Sequence, residues 1–165
     1  PTQPGCPDCP VQRWCAAFTQ GTQHAIPRLA KRPELTDVVD ATVAIEADEK
    51  YLLRRRGADE RWAGLWDFPR YTVPADRSVT EVVVDGVRTE TGLEIALGAE
   101  ETRFNHGVTR YRIELRCFRA QVTAGALRRD AELSWVAPTE FEAYPLSMTG
   151  RKFANWLIAA RERLF

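Results

Sequence analysis

The chain has 165 residues, enough for one domain of usual size and a short appendage. Its 44% hydrophobic content can fill a core, and 28% charged residues argue against disorder. Lys+Arg and Asp+Glu both number 23, so a zero net charge excludes strong unspecific phosphate binding through bulk charge. No window approaches the roughly 18 consecutive apolar residues of a membrane-spanning helix, and Pro1-Thr2-Gln3-Pro4-Gly5-Cys6 does not read as a signal peptide. These features predict a soluble protein with no membrane partner and a cytoplasmic, nucleoid-associated location; a monomer is expected.

The sequence opens without an initiator Met and inside a Cys/Pro motif, which predicts a piece of a longer chain. Cys6, Cys9 and Cys15 follow the spacing C-x2-C-x5-C. Two thiolates separated by two residues can meet one metal centre from a tight turn stiffened by Pro7 and Pro10, and a third returns after a helical turn. Soft sulfur ligands in a reducing compartment point to zinc or an iron–sulfur centre rather than disulfides. Three ligands are one short of a closed site, and His24 is available to complete a zinc knuckle. Residues 16–36, ending in Lys31-Arg32-Pro33 and its neighbours, read as the tail of this motif running into a linker.

From Val38 the pattern becomes strand-like. Val38–Ile45 is rich in β-branched residues, Asp48-Glu49-Lys50 reads as a turn, and Tyr51–Arg56 reads as the second arm of a hairpin. Ser78-Val79-Thr80-Glu81 is a capping box, followed by Val79, Val82, Val83 and Val87 at helical spacing and by Gly92 as a stop. Gly86 shares that face, where a missing side chain lets the helix approach a sheet. Strands are predicted near 93–97, 101–107, 110–122 and 132–136. In Tyr111–Cys117 the odd positions are largely apolar and the even ones charged, so Cys117 reads as a small core residue. A last amphipathic helix starts near Thr149, with Phe153, Trp156, Leu157, Ala160 and Leu164 on one stripe. The order hairpin, helix, meander, helix predicts an α+β layer sandwich.

The cysteine spacing resembles endonuclease III and adenine DNA glycosylases of the MutY type, whose [4Fe-4S] cluster sits on C-x6-C-x2-C-x5-C. Cys6, Cys9 and Cys15 match the last three positions, and the fourth cysteine would lie just upstream of Pro1. Trp62-Ala63-Gly64-Leu65-Trp66-Asp67-Phe68-Pro69 is similar to the G-L-W-E-F-P stretch opening the C-terminal domain of those enzymes; read by itself it is a tryptophan-rich loop that plugs a small core. The resemblance implies three segments: the end of a [4Fe-4S] loop at 1–20, a linker at 21–36, and a Nudix-like α/β/α sandwich at 37–165. It also implies a part of an enzyme that excises adenine mispaired with 8-oxoguanine. The catalytic glycosylase domain would lie upstream, and the partner would be double-stranded DNA carrying the A:8-oxoguanine mispair.

The alternative is a Nudix-type nucleoside diphosphate hydrolase. A working box, G-x5-E-x7-R-E-U-x-E-E-x-G-U, presents glutamates on a helix to divalent cations that activate water. Anchored on Gly92-Leu93, the box reads Asp85-Gly86-Val87-Arg88-Thr89-Glu90-Thr91-Gly92-Leu93, and Tyr71 and Arg77 fall on its initial Gly and outer Glu. Only Glu90 keeps an acid, and it reads as a helix-surface residue. One carboxylate cannot hold a pair of Mg²⁺ ions.

In the glycosylase family the lesion is read by a loop H-x-F-S-H-F-H between two strands. The corresponding stretch is His106-Gly107-Val108-Thr109-Arg110-Tyr111-Arg112. The resemblance puts Val108 on the stacking wedge, Thr109 on the hydroxyl that accepts from N7–H of 8-oxoguanine, and Arg110 on the following position, with His106 at the loop start. Their plain readings are a strand threonine at Thr109 and a hydrogen-bonded loop histidine at His106. Arg54–Arg56 read as a solvated strand end or a DNA patch, and Arg70 as either.

Overall fold

A computed structural model describes residues 4–26, 34–60, 62–129 and 132–163. Two units separate along the chain, Pro1–Glu34 and Leu35–Phe165.

In the first unit the prolines and the short spacing between cysteines leave room only for single turns. Cys6–Asp8, Gln12–Trp14 and Gln23–Ala25 are 3₁₀ turns, and α1 (Ala16–Thr19) is one turn of helix. The Gln12 side chain donates to the Cys6 carbonyl at 2.9 Å and ties the first two turns together. Cys6, Cys9 and Cys15 are free thiols of intermediate exposure. Among the described residues no group of three or more His, Cys, Asp or Glu is arranged to hold a metal ion. The iron–sulfur remnant expected from the spacing is therefore corrected, and so is a zinc knuckle on His24. A C-x2-C-x5-C spacing permits convergence but does not impose it, because each turn is closed by its own backbone hydrogen bonds. Lys31-Arg32-Pro33 and Leu164 lie outside the described residues.

The second unit is built on a mixed sheet of seven strands. The β-branched run forms β1 (Thr36–Ala47), and Asp48 and Glu49, both at positive φ (48° and 59°), turn it into β2 (Lys50–Arg55). A hairpin needs such a left-handed pair to match the strand twist. Two short strands follow, β3 (Trp66–Asp67) and β4 (Arg70–Val73), where the sequence alone reads as loop. Then come α2 (Val79–Thr91), β5 (Leu93–Val108), β6 (Tyr111–Gly125), β7 (Leu133–Val136), a 3₁₀ turn at Pro138–Ala143, and α3 (Met148–Glu162). The two strands expected at 93–97 and 101–107 are one long strand. It is broken in register between Leu97 and Thr102, so the charged run interrupts the pairing without ending it.

The path across the sheet is β3-β2-β1-β6-β5, with β4 paired to β1 and β7 to β2. β1 and β6 run parallel from Thr36 opposite Tyr111 to Glu46 opposite Gln121; the other ladders are antiparallel. Strand alternation sends side chains to two cores. Val43, Ile45, Leu52, Phe118 and Ala120 meet Val83 and Val87 of α2 on one face. Ala44, Tyr51, Leu53, Leu115 and Cys117 meet Phe153, Ala154 and Leu157 of α3 on the other. The result is a Nudix-like α/β/α sandwich. Phe68 packs edge-on against Tyr51, Phe141 and Phe153, with centroids 6.5, 5.7 and 5.1 Å away. Such pairs add about 0.5–1.5 kcal/mol beyond the area they bury. Among the described residues no helix is long and apolar enough to cross a membrane.

Candidate functional site

The capping box forms as the sequence predicts: Ser78 Oγ accepts from the Glu81 amide at 3.2 Å, and Glu81 accepts from the Ser78 amide at 3.3 Å. Gly92, at φ 81°, ends α2 in the left-handed region, its amide donating to the Arg88 carbonyl at 3.0 Å. The helix lies with Gly86 against β4. A Cβ on Gly86 would stand 2.6 Å from the Tyr71 ring, so the aromatic fills the space that a side chain at position 86 would need.

Tyr71 also reaches Glu90. Its hydroxyl donates to Glu90 Oε2 at 2.9 Å, while Arg54 Nε on β2 lies 3.0 Å from Oε1. Arg54 turns its other nitrogens to Glu60, with two contacts of 2.6 Å. Burial pushes the Glu90 carboxyl above its ordinary range, against Arg54 and Tyr71, which hold it down. Burial and then the Glu90 charge push the Tyr71 phenol up as well. The Arg54 hydrogen bond holds Glu60 below the usual carboxylate range. Burial works against the Arg54 charge, but Glu60 and Glu90 keep that guanidinium above its ordinary value. Glu90 is thus a half-buried member of a network, where the sequence reading places it on the helix surface.

Two more arginines point inward. Arg56 contacts Asp67 at 3.1 Å and Glu60 at 3.6 Å, and its side chain is 10% exposed. Arg70, 6% exposed, binds Asp40 through Nε at 2.8 Å and donates to Thr149 Oγ1 at 3.1 Å. Thr72 Oγ1 also donates to Asp40, at 2.9 Å. The solvated strand end expected at 54–56 is corrected for Arg54 and Arg56. Alternation turns only Arg55 to solvent, where it pairs with Glu132 at 3.0 Å.

Asp40, Arg56, Glu60, Trp62, Arg70 and Thr72 surround a cavity of about 400 Å³ with apolar walls from Val38 and Ile113. Trp62 stands at its mouth, 38% exposed, with a left-handed backbone at φ 60°. A non-glycine residue held there costs on the order of 1–3 kcal/mol, and such strain concentrates at ligand clamps. The guanidinium carbons of Arg56 and Arg70 lie 5.5 and 5.9 Å from its ring centroid. The balance of two guanidinium groups and two carboxylates gives the cavity little net charge. The cavity therefore offers a stacking face with hydrogen-bonding groups around it and little bulk attraction.

The loop singled out in the sequence is the tip of the β5–β6 hairpin. Val108 and Tyr111 pair across it, and Thr109 and Arg110 are exposed at the turn. Thr109 sits at φ 51°, so it is a turn residue and not the plain strand threonine the pattern suggests. Arg110 donates to the Tyr111 hydroxyl at 3.2 Å and lies 5.3 Å from that ring's centroid. His106 lies further down β5, its Nε2 3.5 Å from Arg70 and its buried Nδ1 without a hydrogen-bond partner. Burial, then the Arg70 charge, push its pKa below the ordinary value. His106 and Val108 line a second hollow of about 250 Å³ beside Trp62, Thr149 and Lys152. Sequence reasoning passed over Asp40, Glu60, Thr72 and Thr149. The available signal was an acid and a threonine at buried strand positions, which need partners.

The divalent cations implied by the box pattern require several carboxylate oxygens in one place, about six ligands for Mg²⁺. Gly86 and Thr89 supply none, and both oxygens of Glu90 are engaged by Arg54 and Tyr71. Asp85 faces outward to Arg77 at 2.8 Å. The residues present do not fit a cation at this helix.

Comparison with known proteins gives a consistent picture. The family model described as NUDIX domain matches residues 41–156. CTP pyrophosphohydrolase of Escherichia coli (strain K12) is 32% identical over 105 residues, covering 62% of this chain and 78% of that protein. The solution structure of the E. coli ORF135 protein superposes with a TM-score of 0.68 at 26% identity, over 77% of this chain and 92% of the other. The crystal structure of MutT protein from Methanosarcina mazei Go1 gives 0.68 at 26%, over 78% and 98%. These findings overturn the reading as a MutY-type adenine glycosylase piece in base-excision repair. With it go the [4Fe-4S] cofactor, the upstream glycosylase domain, and the A:8-oxoguanine duplex as partner. The resemblance misled because Trp62–Pro69 and the sandwich order both lie within the residues that the NUDIX domain model matches, while the cysteines outside that range gather no metal-binding group among the described residues. The findings favour the alternative, a Nudix-type hydrolase. With the matched model spanning well over half of the sequence, the chain belongs to the NUDIX domain family.

Proposed function

We propose that this chain recognises nucleotides, the ligand class of the pyrophosphohydrolases it resembles, and that the base stacks on Trp62 in the cavity between β1, β2 and β4. The observation that carries this reading is Trp62 itself. It is an exposed indole held in a strained backbone at a cavity mouth, with Arg56 and Arg70 beside it. Base–aromatic stacking contributes roughly 1–3 kcal/mol per base. Asp40 and Thr72 line the same cavity, and the oxygen lone pairs left beyond the bond they share can accept from the donors of a base edge. Calorimetric titration with CTP and the other nucleoside triphosphates tests this directly. Binding that weakens about tenfold in Trp62→Ala, a loss of about 1.4 kcal/mol, supports the reading. Absence of binding by every nucleotide, or unchanged binding in that variant, overturns it.

Hydrolysis of the nucleotide diphosphate bond is the second reading. It is favoured by the family match and by the 32% identity to CTP pyrophosphohydrolase. It needs a water-activating centre other than the α2 acids, which do not fit a cation. Pyrophosphate release measured with Mg²⁺ and with Mn²⁺ decides between binding alone and turnover.

A further inference from the structure

In a Nudix box the helix presents its acids to divalent cations, whose charge the carboxylates share. In this chain a positive group already stands there: Arg54 bridges Glu60 (two 2.6 Å contacts) and Glu90 (3.0 Å) from the neighbouring strand. Its side chain is 15% exposed, so this charge sits within the fold and not in a loose surface pair. Tyr71 supplies the second half of the substitution, its ring over Gly86 and its hydroxyl on the remaining Glu90 oxygen.

We infer that Arg54 takes the place of the divalent cation in this domain: a resident guanidinium binds the surviving acid together with Glu60, and ligand binding is independent of divalent metal. This deepens the nucleotide reading where it speaks of the ligand, and stands apart from it where it speaks of the helix. A guanidinium delivers its five donors in a fixed plane and carries its charge at every working pH. It offsets part of the charge of Glu60 and Glu90, with Arg56 3.6 Å from Glu60, but cannot activate a water as a metal does. Removing it would leave Glu60 with Arg56 at 3.6 Å and Glu90 with only the Tyr71 hydroxyl, so two carboxylates would face the same space with less positive charge between them, the arrangement that attracts a cation.

Paramagnetic Mn²⁺ titrated into the isotopically labelled full chain, with no nucleotide present, tests the helix claim. The amide resonances of residues 85–92 are expected to keep their intensity in the wild type and to lose it selectively in Arg54→Met. Selective broadening in the wild type overturns the inference, as does a folded Arg54→Met that ignores Mn²⁺. If Arg54→Met does not fold, the wild-type titration still decides. Nucleotide titrations in EDTA and in Mg²⁺ test the ligand claim, which expects equal dissociation constants. A several-fold gain with Mg²⁺ overturns it, whereas no binding in either buffer removes the nucleotide reading and leaves the Mn²⁺ result standing.

Discussion

Ser147 Oγ donates to Asp67 Oδ2 at 2.7 Å, so the residue that caps α3 is fastened to the short strand β3, 80 positions earlier in the chain. The same hydroxyl accepts from the Gly150 amide at 3.0 Å. Asp67 is 4% exposed and also accepts from Arg56 and from the Phe68 amide. One carboxylate therefore joins a helix start, a strand and a buried guanidinium. Asp67→Ala is expected to lower the unfolding free energy by about 3 kcal/mol, because it removes a partner from buried polar groups. Urea denaturation monitored by circular dichroism measures it, and a loss below about 1 kcal/mol would contradict this account.

The contact between Gly86 and Tyr71 makes a second expectation sharp. Gly86→Ala places a methyl group against the ring and is expected to cost about 1–3 kcal/mol. In a Tyr71→Ala background the same change should cost nothing or stabilise by up to about 1 kcal/mol, since alanine favours a helix over glycine. A double-mutant cycle on thermal or urea unfolding reads the difference. Additive effects would show that the ring does not police this position.

His106 sets a pH expectation. Burial and the nearby Arg70 charge lower its folded pKa below the ordinary 6.5. The unfolded chain then binds more protons than the folded one in the window below 6.5, so stability is full above that pH and falls as the pH drops through the window. His106→Asn should flatten this part of the melting-temperature profile. Only His24 and His106 contribute imidazole signals, so a proton NMR titration can follow both. A His106 midpoint at or above the ordinary value would refute the assignment.

The thiols should fall into two kinetic classes. Cys117 is fully buried among apolar side chains, and burial pushes its thiol up to about 12. Reaction depends on the thiolate and on access. A thiol-reactive chromophore at neutral pH is expected to label Cys6, Cys9 and Cys15 readily, and Cys117 only after denaturant is added. Peptide mapping of the labelled protein checks which sulfur reacted.

Much of the second unit could be read from local pattern. Ser78 and Glu81 announce the start of α2, Gly92 its end, and the Val82–Val83–Val87 stripe its buried face, because capping and amphipathicity are decided within a few residues. The role of Glu90 could not be read this way. Its partners Arg54 and Tyr71 lie on β2 and β4, and only the sheet brings them to the helix. The reading of Trp62 as part of a core-plugging loop fails for a related reason. An aromatic-rich stretch predicts burial, whereas the left-handed backbone that keeps this indole at the surface shows only in three dimensions. The cysteines mark the opposite failure, since their spacing was specific but, among the described residues, their side chains do not gather into a metal-binding group.

The parallel pairing of β1 with β6 also governs how the chain acquires its shape. The strands that meet at the middle of the sheet are separated by 75 positions at the Asp37–Arg112 pair. Closing so long a loop is entropically costly, and folds dominated by distant pairings form slowly. During synthesis β1 must therefore wait on the ribosome with one side unsatisfied until β6 emerges. In that interval an apolar strand is open to capture by another chain, and slower translation across residues 47–110 would lengthen the exposure.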